Sequence, residues 1–142
     1  MMTRWMKRFG VALTILLFAA QFVPVARLNP MERNFPEAPA EVQAVMRRSC
    51  NDCHSNETSW PWYARVAPLS FLIARDVKEG RKKLNLSNWD SYDDTRKGRK
   101  KREIAKEVER DNMPPWYYVP LHPDAKLSAQ ERELIVKWAK QS

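Results

Sequence analysis

The spacing of apolar and polar positions changes several times along the chain, and each change predicts an element. A basic leader with Arg4, Lys7 and Arg8 and no acid precedes an uncharged, largely apolar run from Phe9 to Ala26, broken only by Gln21 and Pro24. That pattern belongs to a signal peptide or a membrane anchor. Phe18 and Pro24 occupy the positions that cleavage after Ala20 or Ala26 would need small, so an uncleaved transmembrane helix within residues 1–28 is expected. Eighteen residues rise about 27 Å as a helix, close to a hydrocarbon core of about 30 Å. The excess of basic residues ahead of the run puts the N-terminus in the cytoplasm and the body in the periplasm of a bacterial inner membrane. Pro30, Pro36 and Pro39 then mark residues 29–36 as a linker, with a globular domain over residues 37–142.

Within that domain the apolar period is helical. Val42, Val45, Met46 and Ser49 recur at i, i+3, i+4 and i+7 behind Pro39. A second helix is expected from Pro68 to about Glu79, with Leu72, Ile73, Ala74 and Val77 apolar and Gly80 as its stop. The stretch Asp94–Arg110 carries only a narrow stripe of Ile104, Ala105 and Val108, which predicts an exposed helix ending before Asn112-Met113-Pro114-Pro115. Ser128 with Glu131 forms a capping box ahead of Leu134, Ile135 and Trp138. No segment of useful length alternates with period two. The expected architecture is all-α, four or so helices joined by proline- and aromatic-rich loops.

Composition narrows the chemistry. With 142 residues the chain fits one domain, and with 44% apolar and 30% charged residues it has the composition of a folded one. It holds only two Cys and two His, too few for a disulfide-stapled scaffold, and three of those four residues stand together in Cys50-Asn51-Asp52-Cys53-His54. Cys-x-x-Cys-His is the attachment signal of c-type haem: two thiols spaced for two vinyl groups and an adjacent imidazole for the iron. Two other readings compete. A thiol oxidoreductase expects a βαβ context, and a zinc site expects a second pair of ligands; neither is visible. For the sixth iron position the candidates are Met113, the one loop methionine well separated from the motif, and His122, with an open or water-bound site as the third possibility; the pattern favours Met113.

Trp60, Trp62, Tyr63, Trp116, Tyr117 and Tyr118 bracket the two candidate ligand loops and can supply both a flat apolar wall and hydrogen-bond donors towards propionates. Arg65 and Arg75 could pair propionates but read as solvated residues. Net charge is +8, from 25 Lys+Arg against 17 Asp+Glu. The runs Arg81-Lys82-Lys83 and Arg96-Lys97 with Arg99-Lys100-Lys101-Arg102 read as solvated helix faces or as a docking patch for an acidic redox partner or anionic lipid. Nucleic acid is not an expected partner of an exported domain.

With these motifs the sequence resembles small bacterial membrane-anchored proteins of the haem-binding domain family, related in pattern to class I cytochromes c. The likeness runs through most of residues 37–140: Ser49 to Asn56, Trp60-Pro61-Trp62-Tyr63, Ala67-Pro68-Leu69-Ser70, Gly80-Arg81, Leu84-Asn85-Leu86-Ser87, Met113-Pro114-Pro115 and the terminal Leu127 to Trp138 segment. The Trp-rich segment after the haem motif departs from the commonest cytochromes c. The resemblance implies a class I cytochrome c-like helical fold, one covalent haem c on Cys50 and Cys53, and iron held by His54 and, matching the Met-Pro loop, Met113. The expected role is a periplasm-facing one-electron carrier and not an enzyme, with a sensor, ligand-binding module or weak peroxidase as the alternative.

Overall fold

The computed structural model describes residues 3–31 and 34–141. Its helices are α1 (Arg4–Ala20), α2 (Ala40–Ser49), α3 (Asn51–His54), α4 (Leu69–Lys83), α5 (Asp94–Glu109) and α6 (Ala129–Lys140), with short 3-10 turns at Trp62–Arg65, Trp89–Ser91, Val119–Leu121 and Pro123–Ala125. No strand occurs among the described residues; one isolated bridge pairs Asn34 with Asn88. The fold is all-α.

Local sequence explains where the helices start and stop. Asp93 Oδ1 accepts from the Arg96 amide at 2.7 Å and starts α5, and the Ser128/Glu131 capping box starts α6 as expected. α5 closes with Asp111 in the left-handed region (φ 59°), its amide on Val108 O at 3.2 Å and the Asn112 amide on Glu107 O at 3.0 Å. This is a Schellman turn with Asp in the place usually held by Gly. Arg132 holds it from α6, donating to Val108 O and Asp111 Oδ1, both at 2.6 Å.

The apolar stripes converge on one core. Val42 and Met46 of α2 meet Leu86, Ala105 of α5, and Trp138 and Ala139 of α6; a second cluster joins Val45, Val108, Leu127 and Ile135. Packing runs in sequence, α5 on α6, α6 on α2, then α3 on α4 and α4 on the Trp62–Arg65 turn. The Cys-x-x-Cys-His segment therefore lies at the α3/α4 end of the body, and α5 with its basic run lies at the other.

Three expectations need correction. The transmembrane helix expected within Phe9–Ala26 does not form: α1 has 17 residues and ends at Ala20, and no helix among the described residues is long and apolar enough to cross a membrane. Gln21 stops it, its Nε2 donating to Leu17 O at 2.8 Å and to Ala67 O at 3.2 Å, while its Oε1 accepts from the Ala67 amide at 3.0 Å. In α4, Gly80 is not a stop; the helix continues to Lys83 and buries Gly80. Leu72, expected on the core face of that helix, is 52% exposed.

The segment read as a linker lies along the body. Arg81 Nη1 donates to Leu28 O at 2.6 Å, Asn34 N to Ser87 O at 2.7 Å, and Trp138 Nε1 to Glu37 O at 3.2 Å, while Phe35 packs against the core.

Candidate functional site

Cys50 lies in the break between α2 and α3, its amide still bonded to Met46 O at 2.8 Å. Its carbonyl then starts the next turn, accepting from Cys53 N at 3.3 Å and His54 N at 2.9 Å. One helical turn thus carries both thiols and the imidazole, as the spacing implied. The cysteines are free. Burial pushes the Cys50 thiol up to about 12 and the Cys53 thiol to about 11, with like charge from Cys53 and from Asp52 adding to each in turn. Both remain S–H at neutral pH, unlike the ionised cysteine of a thiol oxidoreductase.

His54 is aimed by α4. Its Nδ1 lies 3.0 Å from Gly80 O and 3.1 Å from Leu84 O. Both partners are carbonyl oxygens and only accept, so Nδ1 carries the proton and Nε2 keeps a free lone pair. Burial lowers the His54 pKa, which keeps the ring neutral, the form that ligates metals. A backbone carbonyl on the far nitrogen is the usual support of a metal-bound histidine. Gly80 makes this contact possible: a Cβ there would sit 2.4 Å from Cys53 O. The sequence reading missed this role, and no local signal marks it, because a helical glycine shows its use only when another backbone crosses it.

The loop from Asn112 to Leu127 is tied to the same segment. Tyr118 Oη donates to Asp52 Oδ2 at 2.6 Å, and the Tyr117 pKa is raised by burial and then by the Asp76 carboxylate of α4. Burial, then the bond to Asp52, raises the Tyr118 pKa and keeps its hydroxyl protonated. Met113 is half-buried at the start of this loop. His122 is engaged at both nitrogens: Tyr63 Oη lies 2.9 Å from Nε2, Nδ1 lies 3.2 Å from Tyr118 O, and the ring stacks on Tyr118 at 3.9 Å. Nδ1 donates to the carbonyl and Nε2 accepts from the hydroxyl, so His122, unlike His54, has no spare lone pair.

Other features fit a large flat ligand with carboxylates. On the loop tied to α3, Trp116 and Tyr117 are exposed, Trp116 83% so, and Tyr117 feels the charge of Cys53. Among the described residues Trp60 Nε1 is a buried donor with no partner, and Ser49 Oγ and Asn51 Oδ1, beside and within the motif, are likewise unpaired. An orphaned buried donor costs about 1–3 kcal/mol, which an external acceptor recovers. Among the described residues no three His, Cys, Asp or Glu side chains gather to hold a metal ion. The basic runs are partly structural: Arg81 clamps Ser55 O, Leu28 O, Asn29 Oδ1 and Thr58 Oγ1, while Arg96 and Lys101 lie over Tyr92 and Trp138.

The family model of the haem-binding domain matches residues 15–141 of this chain. No curated protein and no solved structure matches it.

Proposed function

Because the chain belongs to the haem-binding domain family, we propose that it is a c-type haem protein acting as a one-electron carrier, in which His54 and Met113 would hold the iron. The observation that carries this reading is the fixed tautomer of His54 inside Cys-x-x-Cys-His, its Nδ1 held by Gly80 O and Leu84 O and its Nε2 free. Cys50 and Cys53 would hold the group through two thioethers, each S–H adding across one vinyl double bond with no oxidant required. Haem held there would supply the Fe(III)/Fe(II) couple, and ligation by a methionine besides the histidine would raise its potential. Trp60 Nε1 would donate to a propionate, and the exposed rings of Trp116 and Tyr117 would shield the porphyrin from water. Tyr118 and Asp52 hold the Met113 loop against α3.

The reading includes a class I cytochrome c-like arrangement and an exported, periplasm-facing domain, since bacteria attach haem c outside the cytoplasm. The redox partner presents an acidic face to Arg75, Lys78 and Lys82, exposed at i, i+3 and i+7 on α4, so exchange slows as salt screens the pair.

The test is expression of the full chain with a haem c maturation system. Haem retained on the denatured polypeptide is expected; its absence refutes the reading. The ferric protein should show the far-red sulfur-to-iron band, lost in Met113→Ala and kept in His122→Ala. The reverse pattern exchanges the two ligands. A high-spin ferric spectrum with ready carbon monoxide binding refutes the electron-carrier role in favour of a ligand-binding module.

A further inference from the structure

His54 donates Nδ1–H towards two carbonyls, and the two are not alike. Gly80 O already takes the helical bond from the Leu84 amide at 2.9 Å, so the imidazole shares it. Leu84 O lies at the end of α4, where the following amides go elsewhere: Leu86 N to His54 O at 2.7 Å, Ser87 N to Asn85 Oδ1 at 3.0 Å and Asn88 N to Asn85 O at 3.2 Å. Leu84 O is thus left for the imidazole, at 3.1 Å. Its direction is set by the peptide that carries it and not by the helix ladder.

That peptide is gripped at its other end. The Leu84 carbonyl and the Asn85 amide belong to one planar trans unit and point in opposite directions. The Asn85 amide donates to Tyr92 Oη at 3.0 Å, inside the body. Tyr92 itself is buried, its ring edge-on to Trp89 at 5.7 Å and covered by the Arg96 guanidinium 4.2 Å from the ring centroid. The Asn85 side chain adds a tie of its own, donating to Asn56 Oδ1 at 2.9 Å, while Asn56 N donates to Ser87 Oγ at 2.8 Å.

We propose that Tyr92 is a positioning residue for His54, acting through the Leu84–Asn85 peptide. Its hydroxyl oxygen holds the plane of that peptide so that Leu84 O faces Nδ1. By accepting from the amide it also polarises the unit and makes the carbonyl a stronger acceptor. A stronger bond at Nδ1 makes Nε2 a better donor to a metal. Without the hydroxyl the peptide plane is free to turn, and the imidazole falls back on the shared Gly80 O. The inference rests on the reading above only in that His54 holds the iron; the hydrogen bonds are a property of the chain itself.

Tyr92→Phe removes the oxygen and keeps the ring. The full chain, isotope-labelled at its histidine nitrogens and carbonyl carbons, is measured by nuclear magnetic resonance, in the reduced state where haem is loaded. Wild type should show couplings across the hydrogen bonds from His54 Nδ1 to the carbonyl carbons of both Gly80 and Leu84. In Tyr92→Phe the Leu84 coupling should be lost, exchange of Nδ1–H with water should speed about fivefold, and the reduction potential of the loaded protein should rise. Arg96→Ala uncovers the ring, leaves the hydroxyl and should keep the Leu84 coupling. Absence of that coupling in wild type overturns the inference without any variant. So does its survival in Tyr92→Phe, even with a lowered unfolding midpoint, since the phenol then only supports the core; so does its loss in Arg96→Ala. Covalent haem is scored on a denaturing gel of the same samples: the expected couplings in a chain that carries no haem support the positioning by Tyr92 and refute the haem reading.

Discussion

Replacing Gly80 with Ala probes the contact on which the site is built. The added methyl would lie 2.4 Å from Cys53 O, 3.1 Å from its carbonyl carbon and 3.2 Å from its Cβ, where ordinary contact begins at 3.4 Å. The nearest of these atoms are backbone and cannot rotate away, so α3 and α4 must part by about 1 Å, an overpacking strain of about 1–3 kcal/mol. Parting them stretches the His54 bonds to Gly80 O and Leu84 O, now 3.0 and 3.1 Å, at a further cost of about 1 kcal/mol. Against this, Ala in a helix interior gains about 1 kcal/mol over Gly. The net expectation is a loss of about 1–3 kcal/mol. Gly98 in α5 is the internal control: a Cβ there meets only the tip of Arg102, at 3.4 Å, so Gly98→Ala should stabilise by about 0.8–1 kcal/mol. Urea unfolding followed by far-ultraviolet circular dichroism reads both signs, and haem staining reads attachment, which Gly80→Ala should reduce and Gly98→Ala should not. If Gly80→Ala stabilises as Gly98→Ala does and loads haem fully, the close crossing of α4 over Cys53 does not position the site.

Further outcomes follow from the same structure. Tyr118→Phe removes a 2.6 Å bond to the Asp52 carboxylate at a half-buried site, so it should cost about 1 kcal/mol and speed hydrogen exchange in residues 112–127; an unchanged loop would show that Tyr118 does not hold it. Glu131 has its pKa lowered, first by the Ser128 amide and then by the Arg48 guanidinium. Its folded value lies below its unfolded value, so the stabilisation is present above the usual glutamate range and fades as pH falls through the depressed value. The gap in unfolding midpoint between wild type and Glu131→Gln should therefore be widest near neutrality and narrow as pH falls through the depressed value; a gap independent of pH would remove the carboxylate's charge from the account.

The helices were legible wherever apolar spacing, caps and prolines agreed. Val42, Val45 and Met46 are buried as their spacing implied, Ala105 and Val108 form the narrow stripe of α5, and Ser128 with Glu131 caps α6. The cluster of Cys50, Cys53 and His54 was equally legible, because covalent spacing within one turn is a property of the sequence itself. Less legible were positions whose meaning lies in a distant partner. Leu72 fits a core stripe but is half-exposed at the motif end, and the run through Gln21 is apolar enough to suggest a span until its amide pairs with Ala67.

By itself the sequence determined an all-α chain, the Ser128/Glu131 cap of α6 and one short segment that brings two thiols and an imidazole into a single turn. Only the tertiary structure decided which imidazole keeps a free lone pair. His54 and His122 carry the same ring, but carbonyls of α4 hold one and leave Nε2 open, while Tyr63 and Tyr118 occupy both nitrogens of the other. Local propensity and covalent spacing act within a turn or two of chain, whereas a tautomer, a close backbone crossing at Gly80 or the clasp of Gln21 on Ala67 is set by groups tens of residues away that meet only after folding.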